Sequence, residues 1–243
     1  MLDNNQTKGE AQDYFIEGLK LALKKKNTTA QLFNFNEALK QGLPAFGELV
    51  ARYFLMCYHA TRKDLEEANK EARRAREISN QLQDTFQLRD NPGEAMFLDG
   101  CHLVPIYPES IRDDWPEKKR KKAALELMRK HHELFVGPEV SHFYLGECYL
   151  KRGEIDLAIS ESEKVIHDFD KDPPLAVIFH TRLGMMYKEK GDFAAAAREC
   201  RKAVAAYLEV DDVWFPSNEL LAQKMRDGMN FWMNKAKQLL AEI

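Results

Sequence analysis

The decisive stretch is His142-Phe143-Tyr144-Leu145-Gly146-Glu147-Cys148-Tyr149, because the chain writes it a second time as His180-Thr181-Arg182-Leu183-Gly184-Met185-Met186-Tyr187. Both copies read His, two residues, Leu-Gly, two residues, Tyr. Four residues after each Tyr stands a glycine, Gly153 and Gly191. Glu154-Ile155-Asp156-Leu157-Ala158 then aligns with Asp192-Phe193-Ala194-Ala195-Ala196, and every matched pair lies 38 residues apart. A fixed period of this size marks a supersecondary unit that stacks on copies of itself.

The spacing has a mechanical reading. Leu145, Gly146 and Tyr149 fall on one helix, and Gly153 supplies the tight turn that ends it. Ile155, Ala158, Ile159, Val165 and Ile166 then recur at helical spacing, which predicts a second amphipathic helix. Gly146 and Ala158 are small where two antiparallel helices must approach closely.

A Leu-Gly pair, a Tyr three residues after the Gly and an Ala nine beyond that resemble the tetratricopeptide repeat. The family's leading Trp is His142 or His180 here, and its later aromatic is Ser162 or Cys200. The resemblance implies an all-α, right-handed superhelical solenoid of about five antiparallel helix pairs with a C-terminal capping helix.

The rest of the chain extends this pattern. Residues 1–12 are polar and read as a flexible tail. A first repeat covers about 13–44, because Gly18 precedes Ala30 by the interval that separates Gly146 from Ala158; Thr28 or Thr29 caps its second helix. A second covers about 46–80, with Lys63-Asp64-Leu65-Glu66-Glu67-Ala68 in register with Gly191 to Ala196. Met56 occupies the close-contact glycine position there, so this pair should splay or repack. A third, divergent repeat spans about 92–136 with an enlarged loop at 105–116, Asp113-Asp114-Trp115-Pro116 opening its second helix. The fourth and fifth are 138–170 and 173–208. Residues 216–243 match no repeat opening, and Leu220, Leu221, Met225, Met229, Trp232, Leu239 and Leu240 form an apolar stripe suited to a cap. The alternative use of that helix is a homodimer contact.

Composition narrows the function. Of 243 residues, 31% are charged and 44% hydrophobic, as in a helical globular chain. A formal net charge of -3 argues against a generic nucleic-acid binder. No apolar run approaches a membrane span, so no membrane insertion is expected. Four Cys at unrelated positions (57, 101, 148, 200) suggest free thiols in a reducing compartment, and the cytoplasm is the expected location.

No enzyme motif is present: there is no phosphate-binding Gly-x4-Gly-Lys-Ser/Thr, no Gly-x-Gly-x-x-Gly, no Gly-x-Ser-x-Gly, no His-Glu-x-x-His and no Cys-x-x-Cys. We therefore expect no catalysis, no cofactor and no metal. In His131-His132-Glu133 the adjacent imidazoles point about 100° apart on a helix and share no metal readily. Cys57 and Cys101, with His59 and His102 near them, leave a metal- or redox-sensing reading open. Lys118-Lys119-Arg120-Lys121-Lys122 reads either as a nuclear-targeting or nucleic-acid patch or as the solvated start of an amphipathic helix. Cations there oppose the helix dipole, which leaves room for an acidic partner.

In tetratricopeptide proteins the first helices line a concave groove, at the positions three before and one after the Leu-Gly glycine. Carried onto this chain, the resemblance implies a groove of Phe15, Leu19, Tyr53, Cys57, Phe97, Cys101, Phe143, Glu147, Thr181, Met185 and Lys188. Such an apolar trough suits an amphipathic helix or extended apolar segment of a protein partner; the alternative is that these aromatics are interior packing, or that the enlarged loop 105–116 folds back and plugs the groove. The expected function is thus a protein–protein interaction scaffold, adaptor or chaperone-like module. A self-associating structural subunit is the alternative.

Overall fold

The computed structural model describes residues 4–24, 28–85, 107, 109, 111–112, 114–135, 138–215 and 219–243. All regular structure among them is helical: α1 (Asn4–Leu23), α2 (Thr29–Gln41), α3 (Ala45–Thr61), α4 (Leu65–Thr85), α5 (Glu117–Phe135), α6 (Pro138–Lys151), α7 (Ile155–Phe169), α8 (Pro173–Lys190), α9 (Phe193–Tyr207), a 3-10 turn at Asp212–Trp214, and α10 (Glu219–Glu242). None of these helices is long and apolar enough to cross a membrane. The described residues fall into two compact units, one ending at Ser141 and the other running from His142 to Ile243.

Local signals in the sequence account for the helix ends. Thr28 Oγ1 accepts from the Gln31 amide at 3.2 Å and starts α2, and Asp172 does the same for Leu175 ahead of the Pro173-Pro174 start of α8. Gly153 and Gly191 take left-handed φ values of 74° and 87°. At both, the next amide donates five residues back, Glu154 to Tyr149 and Asp192 to Tyr187, at 2.9 Å each. This closure satisfies the last carbonyls of the helix. Lys63 takes the equivalent place in the first unit, with φ 62° and the Asp64 amide donating to His59 at 3.0 Å. One turn geometry thus recurs three times, once on a residue whose Cβ opposes it.

In the first unit α1 packs on α2, α2 on α3, and α3 on both α4 and α5. Ala11, Phe15, Ile16 and Leu19 form the buried stripe of α1, so the helix extends through the run expected to be a tail. Nothing in the polar stretch from Asn4 breaks it, and Ala11 already belongs to the core. Phe35 of α2 lies 6.0 Å from the Phe15 ring and stacks at 5.0 Å on Phe54 of α3. Because α3 is wrapped by three neighbours, it is buried almost all round, from Phe46 to Ala60. Met56 is fully buried, and the small residues have moved to the second helix as Ala68, Ala72 and Ala75.

In the second unit α6 meets α7, α7 meets α8, and α8 pairs with α9. α10 lies against both α8 and α9. Val177 and Ile178 cluster with Met229, Trp232 and Met233, while Cys200 and Ala203 cluster with Ala236 and Leu239. Met229, Trp232, Met233, Ala236 and Leu239 of α10 thus pack on α8 and α9; the side chains of Leu220, Leu221 and Met225 lie outside the described residues.

The repeated glycines share one setting. A Cβ on Gly18 would meet the Phe35 ring at 2.7 Å, one on Gly146 would meet Ser162 Oγ at 3.3 Å, and one on Gly184 would meet Cys200 Sγ at 2.6 Å and the Ala196 carbonyl at 3.2 Å. Each marks where a first helix touches its second; Gly100, expected to match them, lies outside the described residues.

Three outcomes follow for unfolding measured by denaturant. Gly184→Ala should destabilise by about 1–3 kcal/mol through overpacking, since the fully buried Cys200 has no space to yield. Gly146→Ala, with looser contacts, should come within about 1 kcal/mol of neutral as helix propensity offsets the crowding. Lys63→Gly should stabilise by up to about 1 kcal/mol, relief of the left-handed strain exceeding the added chain entropy.

Candidate functional site

Seven of the nine described residues expected to line a groove are interior. Phe15, Leu19, Tyr53 and Cys57 are buried in the first unit, and Phe143, Glu147 and Thr181 in the second. The reason is the packing of the first helices. α3 is enclosed by α2, α4 and α5, and the Cys57 thiol points at the Met128 carbonyl of α5, 3.7 Å away. α8 is enclosed by α7, α9 and α10. Within each unit, then, these positions serve as core rather than as an open trough. Phe97, Cys101 and His102 lie outside the described residues, as do the side chains of His131, His132 and Glu133.

Met185 and Lys188 remain at the surface. Met185 is 37% exposed, and Lys188 is ion-paired with Glu242 near the end of α10. Inward from them, Thr181 Oγ1 lies 2.7 Å from the Val177 carbonyl and 3.3 Å from the Trp232 carbonyl, which fastens α8 to α10. Phe143 meets Phe179 edge-on at 5.5 Å. Arg182, absent from the expected set, organises this corner. Its guanidinium pairs with Glu147 and lies 5.9 Å from the Phe143 and Trp232 ring centres. It thereby neutralises the buried Glu147 and links α6, α8 and α10.

The described part of the 105–116 loop is bound to α4. The Tyr107 amide donates to Asn69 Oδ1 at 3.0 Å, Asn69 Nδ2 donates back to the Tyr107 carbonyl at 3.2 Å, and Arg76 pairs with Glu109 at 2.6 Å.

The repeat also carries charge. His142 Nδ1 lies 2.6 Å from Glu161 Oε2, and His180 Nδ1 lies 2.8 Å from Glu199 Oε2. Lys164 and Lys202 hold the same two carboxylates from the next turn. His142, Glu161 and Lys164 each recur 38 residues later, so first and second helices are tied by a duplicated His–Glu–Lys set. His180 makes one more contact, Nε2 to Asp170 Oδ1 at 2.7 Å, which joins it to the end of α7. The shared interval of Glu161 and Glu199 was available in the sequence, but a search for apolar periodicity passes over carboxylates.

The surroundings set the ionisation of this cluster. Burial pushes Glu199 up, yet hydrogen bonds from His180, Arg198 and Lys202 outweigh it and hold the carboxyl at about 2. Burial, then the Glu199 charge, pushes the Cys200 thiol up to about 11, which makes it an inert packing group. Burial and the hydrogen bond to Glu163 push Tyr187 to about 12. Among the described residues no group of three or more His, Cys, Asp or Glu side chains is placed to hold a metal ion, and the Cys57, Cys148 and Cys200 side chains are buried. The His142–Glu161 and His180–Glu199 contacts fix first helices to second helices.

The depressed Glu199 value makes a pH prediction. A carboxyl held below its usual 4.5 contributes stability that is complete above that pH and is lost as pH falls towards about 2. Urea unfolding of the parent and of Glu199→Gln should differ by roughly 3 kcal/mol at neutral pH, and the gap should close across that acidic window. A gap that stays constant as the pH falls would remove the electrostatic tie.

Comparison with protein-family models finds none that matches this chain, and comparison with curated proteins finds no relative.

Proposed function

We propose that this chain is a non-enzymatic protein–protein interaction module, a tandem of tetratricopeptide-type helix pairs stacked into a right-handed solenoid, that holds an apolar segment of a partner protein. The observation that carries the reading is the common setting of Gly18, Gly146 and Gly184, each at the contact of a first helix with its second. The thrice-repeated turn at Lys63, Gly153 and Gly191 supports it independently. Repeat arrays of this kind act as rigid display surfaces, and a rigid surface loses little conformational freedom when a segment docks.

The buried aromatics move the proposed contact surface outward. In the second unit Met185 on α8 and Phe231 on α10 are both exposed, 37% and 43%, on helices that pack together. An exposed Met is adaptable to varied apolar side chains, and an exposed Phe supplies contact area at low entropic cost. The inward side chains Met229, Trp232, Met233, Ala236 and Leu239 of α10 pack on α8 and α9, so Phe231 is the aromatic this helix offers outward.

The test is site-specific photo-crosslinking in cells of the source organism. A benzophenone side chain at position 185 or 231 should trap a discrete protein adduct, whereas one at the exposed Lys40 of α2 should not. Met185→Glu with Phe231→Glu should abolish the adduct and change stability by less than about 1 kcal/mol, as expected of surface substitutions. Adducts equally frequent at all three positions would refute the assigned surface.

A further inference from the structure

The chain places five consecutive cations, Lys118 to Lys122, on the first two turns of α5. The helix faces inward through Ala124 and Met128, both buried, while Lys118, Lys119, Lys121 and Lys122 are exposed. Their counter-charges are few. Lys121 pairs with Glu117 at 2.6 Å, and further along Arg129 pairs with Glu126. Lys119 Nζ sits 3.8 Å above the Trp115 ring, and Arg120 is directed towards Tyr107. Lys118 and Lys122 have no carboxylate partner among the described residues. This arrangement costs stability twice, because like charges one turn apart repel and cations at a helix start oppose its dipole. The described buried positions of α5, Ala124 and Met128, lie outside this run, and Lys118 and Lys122 are exposed.

We propose that the outer face of these two turns docks an extended, carboxylate-rich segment of a partner protein. Lys118 and Lys122 are one turn apart, about 6 Å along the axis. Alternate side chains of an extended strand share a face at about 6.6–7 Å. Acidic residues at every second position therefore meet both ammonium groups at once, with Lys119 at the rim. This surface and its partner chemistry are separate from the apolar contact on α8 and α10, so either stands without the other.

Two other anionic partners fit less well. Single-stranded nucleic acid binds through aromatic platforms beside its cations, and one face of Trp115 is covered by Lys119. A membrane surface needs an apolar helix face next to the charges, and among the described apolar side chains of α5 Ala124 and Met128 are buried and only Leu127 is exposed, at 37%.

The test uses the intact chain and a short fluorescent peptide with Glu at alternate positions separated by Ser, read by anisotropy in low salt. Binding should saturate, weaken as salt rises past about 0.15 M, and disappear for a peptide with Gln in place of Glu. Lys118→Glu with Lys122→Glu should weaken it about tenfold or more, and Lys118→Gln with Lys122→Gln by less. Both double variants should keep the parental circular dichroism melt, because neither side chain is buried. No saturable binding, or affinity unchanged in both variants, would overturn the proposal. So would tighter binding to an oligothymidylate strand or to phosphatidylserine vesicles that vanishes in the same variants.

Discussion

Two antiparallel helices approach closely only where one of them lacks a side chain or the other gives way, and this constraint sets the architecture. At Gly18, Gly146 and Gly184 the missing Cβ is what lets an aromatic ring, a hydroxyl and a thiol lie against the facing helix. The α3–α4 pair meets the same demand in reverse, with Met56 on the first helix and Ala68, Ala72 and Ala75 buried on the second. The contact is kept while its chemistry changes sides. A search for the glycine alone therefore undercounts the repeats.

Close packing is non-directional and leaves the rotation of each helix loosely specified, and the buried ion pairs supply the missing direction. The His142–Glu161 and His180–Glu199 contacts join first helix to second at matching places in successive repeats. A misregistered helix would leave a carboxylate buried without its hydrogen-bond partner, which is costly. The added bond from His180 to Asp170 extends this control from one repeat to the next. Arg182 does comparable work at the corner shared by α6, α8 and α10.

Much of this was legible from residues alone. Thr28, Asp172, Gly153 and Gly191 announce their caps and turns through local chemistry, and the glycine register announces the close contacts. The candidate groove was less legible. Aromatic and thiol side chains three before and one after the glycine look the same in sequence whether a first helix has an open flank or a covered one. Here α3 and α8 are enclosed, so Tyr53, Cys57 and Thr181 are interior. How many neighbours a helix has is a tertiary property, which periodicity cannot report. The start of α1 was misjudged for a different reason: a polar run suggests a loose end, yet a helix needs only one buried anchor per turn, and Ala11 provides it.

The placement of α10 bears on how a sequence change in one helix reaches its neighbours. It lies against α8 and α9, and its Trp232 carbonyl receives the Thr181 hydroxyl. A substitution at Trp232 or Met233 is therefore felt at Val177 and Ile178 of α8, and one at Ala236 or Leu239 at Cys200 and Ala203 of α9. In a close-packed interior such positions tolerate a change of volume only when the facing helix changes with them.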